Sequence, residues 1–144
     1  MTTIILTIIG ILLAAVAALM IIFYGGDAFN KGSIGAQANT LQNAGTNVIS
    51  ATELAKTDGN SYTAVADLVT NQYLKEAPAL PGVATTAALT ATDYTVALTG
   101  TDADAVCDKV ESNLGHATPS SAVGTYKMGC FKDATNGDTF YAHL

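Results

Sequence analysis

The sequence predicts an α+β chain, a long N-terminal helix packed on a small head with an antiparallel sheet. Three observations predict it. The first 26 of 144 residues carry no charged side chain, and Ile4 to Tyr24 is almost entirely Ile, Leu, Val, Ala and Met. From about residue 28 to 56 the apolar residues recur every three or four positions in an otherwise polar stretch. The remainder breaks into short alternating runs separated by Gly, Pro, Asn and Asp, and holds both cysteines, Cys107 and Cys130. The division expected is 1–26, the apolar half of the helix, and 27–144, its amphipathic half plus a disulfide-closed globular head.

At about 1.5 Å per residue the apolar run reaches roughly 30 Å, the hydrocarbon thickness of a bilayer. Such a helix must sit in lipid, be cleaved off, or pack against copies of itself. A cleavable signal peptide needs a basic start and an apolar core of about 7–15 residues. Here Met1-Thr2-Thr3 has no Lys or Arg and the run is longer, so a spanning or self-packing helix is expected. Gly10, Ala14 and Ala18 recur every four residues, with Ala15 and Ala17 beside them. Small residues on one face let helix backbones approach closely in an apolar medium.

Gly25-Gly26 then weakens the helix by roughly 1 kcal/mol per residue relative to Ala, a place for an end, a kink or local melting. Periodicity resumes at Ile34, Ala38, Leu41, Gly45, Val48, Thr52 and Ala55, a narrow apolar seam. Gln37, Asn39, Gln42, Asn43, Asn47 and Glu53 occupy the other face, and Asp58-Gly59-Asn60 stops the helix.

In the head, Tyr62 to Gln72 has helical spacing at Val65, Leu68 and Val69. Pro78 and Pro81-Gly82 make a loop. Ala87-Leu89 and Tyr94-Val96-Leu98 alternate as two strands about a turn at Thr92-Asp93. Asp102 or Asp104 is expected to cap a helix running to Leu114, with Gly115 ending it and Cys107, Val110 and Leu114 on one side. Two last strands, Val123–Phe131 and Thr139–Leu144, flank the hairpin signal Asn136-Gly137.

An apolar N-terminus implies export, and an exported domain with two cysteines is expected to pair Cys107 with Cys130. Net charge is −6, all six cations are Lys, and none precedes Lys31. This argues against a nucleic-acid partner and against a polybasic lipid anchor. His116 and His143 read as lone surface residues. Asp102, Asp104 and Asp108 read as a solvated acidic helix face, with a calcium site the lesser alternative because no EF-hand pattern is present. Ser120-Ser121 lacks a nucleophile elbow, and no phosphate-binding or dinucleotide Gly motif occurs. No enzyme, metal or cofactor is expected.

The pattern as a whole resembles a type IV pilin. TDADAVCDKVESNLG followed by YKMGCF resembles the disulfide-bounded region of type IVb pilins in particular, and ADLVTNQYLKEAPALPG is similar to the pilin αβ-loop segment. A non-Phe first residue, Met1, also fits that subclass. The resemblance implies a subunit of an extracellular type IV pilus serving adhesion, motility or DNA transfer. It implies an inner-membrane form before assembly, handled by pilus assembly machinery, then a helical homo-oligomer at the bacterial cell surface. Ile5, Gly10, Ala14 and Ala18 would pack the helices, Gly25 and Gly26 would bend or melt, and the Met1 amine would be methylated. Pilins usually carry Glu where Ile5 stands, so apolar packing would replace the acid–amine pair. That difference leaves room for an archaeal-type filament, a conjugative thin pilus or a minor pilin. The expectation is that the short basic leader ending in Gly has been removed and that Met1 opens the processed, polymerising form. The rival reading is a single-pass anchored, monomeric exported binding domain.

Overall fold

The computed structural model describes residues 2–116, 119, 121–133 and 137–144; for Thr2, Thr3, Phe23, Tyr24 and Asp27 it describes the backbone alone. The expectations placed on Met1, Ser120 and Asn136 therefore lie outside the described residues. The elements are α1 (Thr2–Thr57), α2 (Val65–Thr70), β1 (Ala84–Leu89), β2 (Asp93–Leu98), α3 (Ala103–Leu114), β3 (Met128–Asp133) and β4 (Gly137–His143). The expected α+β class is the one observed. The chain divides into two compact units, Met1–Ser33 and Ile34–Leu144.

The first unit holds only the N-terminal part of α1, up to Ser33. The helix continues through Gly25 and Gly26, so the pair does not end it, and a Cβ on either would meet no other atom within 4 Å.

The second unit holds the core. The seam read from the sequence is the face of α1 that is buried: Ala38, Leu41, Gly45, Val48, Thr52 and Ala55 lie inside, and Ile34 packs at the edge. Ala44, Ile49 and Ala51 widen it. The polar face is not wholly solvated. Gln42 Nε2 donates to Val110 O at 3.3 Å, and Asn113 Nδ2 donates to Asn39 Oδ1 at 3.1 Å, fastening α3 beside α1. The sheet is antiparallel throughout, in the order β1-β2-β4-β3. Period-two alternation in β2 puts Tyr94, Val96 and Leu98 in the core, and Val96 and Cys130 both register with Phe140 of β4.

Gly45 is where α1 comes down on this sheet. A Cβ there would lie 2.9 Å from Phe140 Cζ and 3.1 Å from Met128 Cε. Met128 can move, but the ring of Phe140 is fully buried. Gly45→Ala is expected to destabilise the head by about 1–3 kcal/mol through overpacking, although Ala is the better helix former. Denaturant unfolding at an unchanged slope would check this. Thr52 gives the opposite sign. Its Oγ1 is buried and has no hydrogen-bond partner. Thr52→Val removes a desolvated hydroxyl and is expected to stabilise by about 1 kcal/mol in the same assay.

Several details of these elements differ from expectation, each for a local reason. Helix α2 covers only Val65–Thr70, because Gln72 takes a left-handed φ of 64° and the N–H groups of Tyr73 and Leu74 both turn back to Leu68 O. Asp102 stands at the N-cap of α3 but makes no side-chain capping bond, and the Asp104 carboxylate pairs with Lys132 instead. The C-terminal reading of that helix is the observed one: Gly115 adopts φ 79° and ends α3. Strand β3 starts at Met128 rather than Val123, since Gly124 lies close under the Tyr141 hydroxyl and its carbonyl is taken by His143. Of the hairpin signal, Gly137 is described; it opens β4 at φ 81°.

Candidate functional site

Among the described residues, one helical stretch is long and apolar enough to cross a membrane, Ile4–Ile22, and none of it is buried. It is a candidate membrane anchor or signal sequence. At about 100° per residue, Gly10, Ala14 and Ala18 fall on successive turns of one face. Ile5 does not join them: it sits roughly 140° around the helix from Gly10. The branched side chains Ile4, Ile5, Ile8, Ile11, Leu12 and Ile21 stand 53% or more exposed. An apolar surface left this exposed calls for lipid or other molecules.

At the far end of the chain, Cys107 and Cys130 are joined in a disulfide with Cα atoms 5.5 Å apart. The bond ties α3 to β3 inside the core, where both residues are buried. Beside it lies Glu111, only 4% exposed. Its Oε1 accepts the Cys130 N–H, and its Oε2 meets His116 Nδ1 at 2.7 Å. The His116 ring stacks on Tyr126 with centroids 3.8 Å apart. Glu111 is a residue that the sequence reading missed. The signal was present: Glu111 follows Cys107 by four and precedes Leu114 by three, a carboxylate on the apolar side of its helix.

His116 and His143 are therefore not lone surface residues, which corrects the expectation. His143 Nδ1 meets Asp93 Oδ1, and Nε2 faces Gly124 O at 2.9 Å. The Gly124 carbonyl and then the Asp93 carboxylate hold the His143 pKa above its ordinary value of 6.5. The Thr92 hydroxyl, 2.5 Å from Asp93 Oδ2, and then His143 hold the Asp93 carboxyl below its ordinary range. Tyr141, between the two histidine groups, is pushed up by burial and by the charge of Glu111.

The acidic face of α3 carries its own counter-ion. Lys132 Nζ lies 2.5 Å from Asp104 Oδ1 and 2.8 Å from Asp108 Oδ1. Asp138, in register with Lys132, is held above the usual carboxylate range by burial and by Asp104. Among the described residues no group of three or more His, Cys, Asp or Glu side chains is placed to hold a metal ion. A groove of about 360 Å³ runs between α2 and β1, lined by Val65, Ala77, Pro78, Ala87, Leu89 and Tyr94 among others. Its walls bring no charged side chain together, so it offers packing rather than acid–base chemistry.

Set against models of known protein families, characterised proteins and solved structures, the chain matches none of them.

Proposed function

We propose that this chain is the structural subunit of an extracellular, type IV pilus-like filament, built by helical packing of α1 against copies of itself. The observation that carries the reading is the bare helix Ile4–Ile22, continuous in one α-helix with the segment that seats the head. Water is a poor environment for such a surface: burial is worth about 25 cal/mol per Å² of apolar area. Lipid satisfies it before assembly. Within a filament the gain over lipid is smaller, so it must come from close van der Waals packing along Gly10, Ala14 and Ala18. The absence of charge up to Asp27, Ile5 included, leaves apolar contact as the glue between subunits. Gly25 and Gly26 would be where α1 bends or melts as subunits stack. The disulfide-closed head would face solvent, with catalysis, metals and cofactors having no part.

The inner membrane would hold the unassembled subunit, and assembly machinery would extract it. Electron microscopy of material sheared from the surface of producing cells tests this. Fibres that contain this chain support the proposal. A protein found only in membranes, monodisperse once in detergent, would favour the monomeric anchored domain instead.

A further inference from the structure

The Gly124 carbonyl is held by a ring that needs two protons to do so. His143 ends β4, and both of its ring nitrogens face oxygen acceptors: Nδ1 the Asp93 carboxylate at the start of β2, Nε2 the Gly124 carbonyl at 2.9 Å. A carboxylate and a backbone carbonyl only accept, whereas a neutral imidazole has a single N–H. The imidazolium alone satisfies both contacts. On losing a proton the ring keeps the one facing the charged acceptor, since a bond to a carboxylate is the stronger. Nε2 then turns a lone pair toward the Gly124 oxygen, and an attraction becomes a repulsion.

We propose that His143 is a pH-operated latch, fastening the Gly124 carbonyl to the end of the β2–β4 pair when its ring is protonated and releasing that carbonyl when the ring is neutral. Val123, 47% exposed, precedes the released carbonyl, so the latch governs how the head presents that apolar side chain. The groups facing His143 are few. Asp93 comes from β2, and the Tyr141 ring of β4 lies 5.2 Å away. Lys127 comes from the stretch before β3; its ammonium opposes the ring charge while pairing with Glu53 of α1 at 3.1 Å. The release is local, because the Gly124 N–H stays on the Tyr141 hydroxyl oxygen, the His143 N–H still donates to Lys127 O at 2.8 Å and Tyr126 still stacks on His116. The raised pKa of His143 puts the change above pH 6.5. The latch rests on the geometry of the head and holds whether or not the chain assembles.

A ¹⁵N NMR pH titration of the full chain in detergent micelles tests it. The Gly124 and Thr125 amides are expected to shift with the same midpoint as the His143 ring, above 6.5, with Nε2 the nitrogen that loses its proton. Amide protection there, corrected for intrinsic exchange, is expected to fall about tenfold across the transition. His143→Gln is expected to abolish the step, and Asp93→Asn to lower the midpoint, which serves if the first variant does not fold. Gly124 and Thr125 amides that stay unchanged through the ring titration, or a neutral ring that keeps its proton on Nε2, would overturn the latch.

Discussion

Replacing both Cys107 and Cys130 by Ala is expected to lower the unfolding free energy of the head by about 3 kcal/mol. The bond closes a loop with a sequence separation of 23, and that constraint on the unfolded chain sets the figure. The location adds to it. Both residues are buried between α3 and β3, so Ala leaves unfilled space as well as a freer unfolded state. For a head of this size the thermal midpoint should fall by roughly 10 °C. Thermal unfolding with and without reductant measures it: reduction of the parent protein should reproduce most of the loss, and the double variant should ignore reductant. A double variant that melts with the parent would show that α3 and β3 are held by packing and by the bond from Cys130 N–H to Glu111 rather than by the disulfide.

The second large effect is expected on assembly. Gly10→Leu, Ala14→Leu and Ala18→Leu each put a branched side chain on the small-residue face of α1, holding neighbouring backbones apart. Leu makes the segment more apolar, so membrane insertion should persist, and the head is a separate compact unit whose stability should not change. Yield of sheared filaments is expected to drop at least about tenfold for the triple variant, because a single misfitted contact of about 1.4 kcal/mol repeats at every subunit. An unchanged yield would place the interface on another face of the helix.

Stability of the latch should pass through a maximum with pH. His143 is raised, so what its contacts contribute is complete below 6.5 and is lost as pH climbs through the higher folded value. Asp93 is lowered, so its contribution is present above 3.8 and is lost as pH falls through the lower folded value. Denaturant unfolding should therefore show its best latch stability between those two ordinary values, with His143→Gln flattening the alkaline side.

Much of the fold was legible from periodicity. The seam from Ile34 to Ala55 and the alternation Tyr94-Val96-Leu98 each name the buried face directly, because one face of each element carries nearly all its apolar side chains. Gly115 marked the end of α3 for a backbone reason, its left-handed φ. What escaped depends on partners distant in sequence. Asp104 reads as a cap until Lys132 draws its carboxylate away. His143 reads as a surface residue because Asp93 lies 50 positions earlier and Gly124 contributes only a backbone oxygen. Glu111 could have been found, as a charge on the Cys107–Leu114 side of its helix. The bare apolar stretch Ile4–Ile22 was visible for a different reason: Ile and Leu on a charge-free helix need no long-range information to interpret.

A cryo-electron microscopy reconstruction of the sheared fibres tests the central claim most directly. The account predicts α1 helices of adjacent copies packed in the fibre core at interaxial distances of about 8–10 Å, closest at Gly10, Ala14 and Ala18, with the disulfide-closed heads outside. Fibres held together through the heads, with Ile4–Ile22 absent from the core, would contradict it.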